Sequence, residues 1–436
     1  MTGEIFTADF KEIPYWIDAA RDGAAAQADP APLPAKADVV VVGAGLTGVG
    51  AACELARGGR DTLVLDAAEP GEQASSRNAG MLGWHSRHYF TDLVETAGIE
   101  TATRLFRELR AIYEEAVKRI HDEKLDCEFR KNGRFVGALS PQRFDKMARE
   151  YETRARLLGE EVEIVTRDKQ SEIGSPQYHG GVITWENASI QPARHARAMC
   201  QRAERAGARV IGRTPVIGVI RDSAGFEVVT ERGRVRARDV LIATNGYTGR
   251  LIPWLADRLI PINAYMVATE PMSENLTTTL LPNHRVYSDN RRRANYMQLS
   301  SDRRRLVFGG QTGSWPVDLR KVAGRLHGDM VGLFPDLAGV KLSHAWTGRC
   351  AATWDLYPHI GIHDGMHYAA GYCFSGNAMA PYLGIRAARR ILGAPGAETF
   401  FARDGFSRAP WYARSDRLMS VLMSYYAWAD RPVPPA

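Results

Sequence analysis

The strongest pattern in the chain is a run of four valines, residues 39–42, that enters a glycine-rich turn. A stretch of small residues follows, then a second apolar run, Thr62–Leu65, closed by Asp66. A continuous β-branched run is typical of a strand covered on both faces. The small-residue stretch predicts a helix from Thr47 that stops at Gly58 and Gly59, since glycine readily ends helices. Strand, helix and strand thus fit within ~30 residues as a βαβ unit. Helical periodicity covers residues 100–123 and 141–158. The stretch "QPARHARAMCQRAERAGARV" predicts a helix ending at Gly207 before a strand. Three alternating runs follow, "PVIGVIRD", "FEVVTER" and "VRARDVLIATNG". They predict a β-meander that rejoins a parallel sheet at residues 240–243. Residues 265–269 and 306–309 predict strands of another sheet. The last strand is predicted at Met366–Ala370, before a helix reaching Ile391.

The order α/β, mixed, β and α/β again predicts an α/β protein with one Rossmann-type domain interrupted by an α+β domain. The expected boundaries are a lead-in over 1–36 and a nucleotide-binding domain over 37–92, 184–250 and 344–395. The second domain takes 93–183 and 251–343, and a tail with a helix takes 396–436.

Composition narrows the classes. The chain has 436 residues, 45% hydrophobic and 24% charged, with a formal net charge of +6. No Lys/Arg block is interleaved with aromatics, so nucleic acid is not an expected partner. Cys53, Cys127, Cys200, Cys350 and Cys373 form no C-x-x-C pair, which points to reduced thiols in a cytoplasmic protein with no metal site. The opening "MTGEIFTADFKEIPYW" has no apolar core of a signal peptide. No apolar run approaches the ~18 residues of a membrane span. A monomer or homodimer is expected.

Gly43, Gly45 and Gly48 make G-x-G-x-x-G. The first glycine allows the tight turn, the second lets backbone approach a pyrophosphate, and the third lets helix and strand pack closely. The helix N-terminus offers N–H groups and positive dipole to phosphate. Asp66, about 20 residues on, suits a ribose hydroxyl. The motif alone does not separate NAD from FAD. Three further stretches do: "EPGEQASSRNAGML" directly after Asp66, "VLIATNGYT" with Ala243, Asn245 and Gly246, and "GYCFSGNAMAPYLG" from Gly371. The last puts a second helix N-terminus where a flavin's electron-rich edge would use it.

With these residues the chain resembles the FAD-dependent amino-acid and amine oxidase family, the group of D-amino-acid, glycine and sarcosine oxidases. Within it, the closest resemblance is to gamma-glutamylputrescine oxidases. "PYWIDAA" resembles that subgroup's lead-in, and "ASSRNAG" its A-S-G-R-N-G-G. "YHGGVITWENASIQPARHA" resembles its strand, loop and helix, and "WTGRCAATWDLYPHIG" the family's W-x-G-x-x-x-x-T-x-x-x-x-P-x-I/F-G. The resemblance implies a glutathione-reductase-like two-domain flavoprotein, with substrate between the flavin ring and a β-sheet. By carry-over, Gly43, Gly45, Leu46, Thr47 and Gly48 hold the pyrophosphate and Asp66 the ribose. Ser75, Ser76, Arg77, Asn78, Ala79 and Gly80 follow the pyrophosphate and ribityl chain, with Met81 and Leu82 nearer the ring. Val216 meets adenine, and Gly376, Asn377, Ala378 and Met379 cover the flavin O2 edge. Gly348 and Gly371 are further cofactor-binding candidates.

The chain also departs from the family. "GYCFSGNAM" stands for G-Y-S-G-H-G-V, so Phe374 narrows the pocket. The strand "RRLVFGG" offers Val307 where sarcosine oxidases carry a lysine that assists O2 reduction. Cys350 is offset from the cysteine that binds FAD covalently in some relatives, so non-covalent FAD is expected. The implied reaction is dehydrogenation of a C–N bond in a small amine or amino acid, with O2 or another electron acceptor. The catalytic candidates are His85, Tyr265, Tyr296, Trp354 and Phe374. Trp84 and Tyr372 are further pocket candidates, and His88 and Arg349 alternative polar ones. Each aromatic taken singly also reads as ordinary core packing. The rival reading keeps FAD and oxidises a 2-hydroxy acid instead.

Overall fold

The computed structural model describes residues 5–21, 29–313, 317–403, 405–410 and residue 425. Two large sheets organise these residues.

The first sheet has a parallel centre. Arg209–Ile211, Thr62–Leu65, Lys36–Val42, Gly233–Ile242 and Met366–Ala370 lie side by side, each parallel to its neighbour. His359–His363 closes one edge antiparallel. The period of two splits the valines between the faces. Val39 and Val41 face a core built by the helices Leu46–Arg57, Ile99–Asp122, Pro192–Arg205 and Gly376–Leu392. Val40 and Val42 face the opposite core, with Phe226, Val228 and Ile252.

The second sheet has nine strands, in the order Phe6–Lys11, Leu342–Ala352, Ile260–Thr269, Leu306–Gly313, Tyr296–Leu299, Val286–Asp289, Arg134–Gly137, Gly181–Thr184 and Val162–Val165. Its outer face packs on the helix Leu319–Leu333 through Tyr265, Val267, Met297 and Phe308. Its inner face presents Met266, Val307 and Trp346 to Trp16 and Ala79. The flavin-loop segment expected at residues 75–82 therefore runs beneath this sheet.

Two segments pack differently from the expected boundaries. The helix Ile99–Asp122, expected with the second domain, buries Ala102, Leu105, Leu109 and Ile112 in the same core as the dinucleotide helix. The strand Leu342–Ala352, expected with the first domain, belongs to the nine-stranded sheet. Periodicity shows that a face is apolar, not which core it joins. The tail expected from 396 falls largely outside the described residues.

Candidate active site

The turn after the valine strand is built for close approach. Gly43 has φ +106°, and a Cβ there would come within 2.9 Å of the Ala243 carbonyl oxygen, so a side chain is excluded both by conformation and by space. At Gly48 a Cβ would collide with the Gly43 carbonyl. No side chain caps the helix that begins after Gly45. Its first amides are offered outward, except that Leu46 N–H donates to Ser75 Oγ at 3.0 Å. Asp66 accepts from Ala44 N–H at 2.6 Å and Ala68 N–H at 2.8 Å. Burial still lifts its carboxyl above the ordinary value. Such a carboxylate keeps lone pairs for ribose hydroxyls.

The helices Leu46–Arg57 and Gly376–Leu392 run parallel in contact. A Cβ at Gly50 would lie 3.0 Å from Pro381, one at Gly384 would collide with the Thr47 carbonyl, and one at Gly58 would lie 2.7 Å from Leu392. Both N-termini therefore open on the same side. Neither has a side-chain cap, and a Cβ on Gly376 would meet nothing within 4 Å. Tyr372 ties the two together, its hydroxyl 2.7 Å from Thr47 Oγ1.

The loop between them is held from above by indole and amide donors. Trp16 Nε1 donates to Asn78 O at 3.0 Å, Trp346 Nε1 to Arg77 O at 2.9 Å, and Gln298 Nε2 to Ala79 O at 2.6 Å. From the side, Asn377 Nδ2 donates to Asn78 Oδ1 and to Met81 O, both at 2.9 Å. Ser76 and Arg77 point back into this scaffold. Ser76 Oγ donates to Gly71 O, and Arg77 donates to Glu72 O and Thr347 O. Leu82, Ala378 and Met379 are buried beside the helices. Asn245 accepts from Gly371 N–H at 2.9 Å, and a Cβ on Gly246 would lie 2.6 Å from Cys350 O. Gly348 abuts Arg77. Val216 opens the half-buried edge strand Val216–Asp222. Two uncapped helix N-termini, a collared loop and the open space before Gly376 fit an elongated dinucleotide carrying a ring at one end.

The catalytic candidates divide. His85 and Tyr296 are half-buried, and His85 lines a small cavity with Arg87, Tyr372 and Cys373. Burial, with Arg134, Arg87 and Arg154 nearby, holds His85 well below the ordinary histidine pKa, and its Nδ1 has no hydrogen-bond partner among the described residues. Burial and the neighbouring Cys350 raise the Tyr296 phenol. Its ring fills the space over Gly309, where a Cβ would collide with it. Phe374 is 37% exposed, with the Arg87 guanidinium 4.8 Å from its ring centre. Tyr265 turns the other way, into the outer core of the sheet, with its hydroxyl accepting Val317 N–H at 3.2 Å. Strand alternation sends neighbouring residues to opposite faces, and Met266 takes the inner one. Trp354 is 49% exposed in the loop after Leu342–Ala352. His88 stacks on Tyr357 and bonds the Asp355 carbonyl, a structural position.

Arg134, absent from the sequence expectations, lies on the inner face of the strand Arg134–Gly137 together with Val136. Its neighbour Phe135 joins the outer core. One arginine on a short strand belongs to no motif. The only available signal was that it opens an otherwise apolar run, "RFVG".

A model of the FAD dependent oxidoreductase family matches residues 38–390, and the chain belongs to that family. It is 30% identical to gamma-glutamylputrescine oxidoreductase of Escherichia coli, over 90% of this chain and 93% of the relative. It is 26% identical to glycine oxidase of Bacillus licheniformis, over 82% and 94%. The fold matches the crystal structure of glycine oxidase from Geobacillus kaustophilus with a TM-score of 0.72 at 24% identity, covering 86% of this chain and 99% of that one. The protein is thus a FAD-dependent oxidoreductase with a mixed α/β, two-domain flavoprotein fold. No described helix is long and apolar enough to cross a membrane.

Proposed function

We propose that the enzyme oxidises a primary or secondary amine or amino acid at its C–N bond and passes the electrons to O2. The observation that carries this reading is the set of partly buried side chains beside the flavin loop, His85, Tyr296 and Phe374, within a chain whose relatives include enzymes named for amine and amino-acid substrates. When bound, FAD supplies the two-electron acceptor that the C–N carbon requires.

The chain's residues set the conditions. The substrate nitrogen must be neutral, because its lone pair forms the C=N bond. A water-poor pocket favours the neutral amine by desolvation. Tyr296, Gly309 and Cys350 lie together on the sheet side. His85 is kept neutral, so it adds no charge beside the substrate. The imine product needs only water to hydrolyse.

Anaerobic bleaching of the flavin's visible band tests the reading. Primary amines, N-methyl amines, amino acids, gamma-glutamyl amines and 2-hydroxy acids would each be offered, and air admitted afterwards. Bleaching by an amine with rapid recovery in air is expected. Bleaching by hydroxy acids alone would replace the amine reading. Bleaching by an amine without recovery in air would replace O2 with another acceptor.

A further inference from the structure

We propose that Arg134 is the receptor for a substrate carboxylate, so that the preferred amine is an amino acid or another carboxylate-bearing amine. This rests on the amine reading above and narrows it.

Several arginines of the described core are neutralised by carboxylates. Arg154 is ion-paired with Glu160 at 2.6 Å and lies 3.9 Å from Glu150. Arg285 pairs with Glu172 at 2.7 Å, and Arg202 with Glu123 at 2.6 Å. Arg134 has no carboxylate. Its Nε and Nη2 donate to a single hydroxyl, Ser288 Oγ, at 3.2 and 2.7 Å, and Nη1 donates to no described residue. Burial pushes its guanidinium below the ordinary value, and arginine stays a cation in proteins. A half-buried cation satisfied by one neutral oxygen has given up hydration without a counter-charge. An incoming carboxylate would supply that charge and accept a forked pair of N–H bonds.

The position matches that use. Ser288 stands directly opposite Tyr296 in the register of the two strands, and Tyr296 opposite Gly309. The guanidinium therefore joins the row of inner-face residues that walls the substrate space. From the loop side it faces His85, whose electrostatic neighbours are Arg134, Arg87 and Arg154, with no acid among them. From the helix Pro141–Leu158 it faces the Tyr151 phenol, whose pKa burial raises, so it stays neutral. Arg87, at the mouth, donates to the Cys373 carbonyl and covers Phe374, again without a carboxylate. The pocket thus carries an uncompensated positive field directed at the place where a substrate amine would lie.

The test uses the FAD-loaded enzyme and paired substrates, each amino acid beside the amide or the plain amine that lacks only the carboxylate. Anaerobic reduction by the carboxylate-bearing member is expected to be favoured by about 10- to 100-fold in apparent affinity, the scale of a charged hydrogen-bonded pair. Arg134→Met should abolish that preference, and Arg134→Lys should restore part of it. Bound FAD should remain undiminished in both variants. Benzoate offers a readout without turnover: it should perturb the flavin spectrum of the native enzyme and not that of Arg134→Met. Equal reduction by both members of each pair, or an unchanged preference in Arg134→Met, would overturn the proposal while leaving the amine reading intact. If no amine of either kind bleaches the flavin, the amine reading itself fails.

Discussion

At the residue scale, His85 carries a pH signature. Its imidazole is held well below the ordinary value of 6.5, so the folded enzyme keeps it neutral where the unfolded chain would protonate it. As pH falls below that value the unfolded state binds the extra proton, and stability declines. Replacing His85 by Asn should remove that share of the acid slope in thermal unfolding of the apoprotein. In the native enzyme, the pH profile of anaerobic reduction should show no limb near 6.5 belonging to this residue; a limb there that disappears in His85→Asn would contradict a neutral role. The same scale shows where the sequence was legible. Gly43, Gly48 and Asp66 were readable because their task is local, a tight turn followed by an acid at a set distance. Tyr265 was not, because alternation says only that Tyr265 and Met266 face opposite ways, and the face each takes depends on packing about 50 residues away, at Val317 and Leu326. Arg134 was invisible for a related reason. What distinguishes it is the carboxylate it lacks, and that absence exists only in three dimensions.

At the element scale, the parallel pair of helices sets the cofactor end of the site. The small residues of "LTGVGAA" were readable as a helix, and their smallness has a cause in the partner helix. A Cβ on Gly384 would collide with the Thr47 carbonyl, which is backbone and cannot swing aside. Gly384→Leu should therefore spread the helices, destabilise the protein by roughly 1–3 kcal/mol as overpacking typically does, and lower the FAD content of the purified enzyme. Differential scanning calorimetry with flavin quantitation checks both; unchanged values would show that the contact is not needed. The nine-stranded sheet was less readable. Residues 265–269 and 306–309 were recognised, but their strands extend to Ile260–Thr269 and Leu306–Gly313. Leu342–Ala352 was read only as a motif, because glycine, arginine and cysteine interrupt its apolar pattern.

At the scale of the whole molecule, charge adds to recognition. A formal net charge of +6, with uncompensated Arg134 and Arg87 at the pocket, should speed encounter with an anionic substrate. The second-order rate of flavin reduction by such a substrate should fall as ionic strength rises from about 0.01 to 0.15 M, as the screening length shortens from about 30 to 8 Å. A neutral amine should show little change, and equal salt effects on both would remove the steering argument.

The contact between the helices Leu46–Arg57 and Gly376–Leu392 joins segments far apart in the sequence. During synthesis the glycine turn emerges early, yet the surface that completes it is still untranslated. Native contacts this distant in sequence slow folding. Completion of the cofactor's cradle must therefore await synthesis of the second helix, and a ribosome stalled before Gly376 would carry a dinucleotide motif with half a cradle.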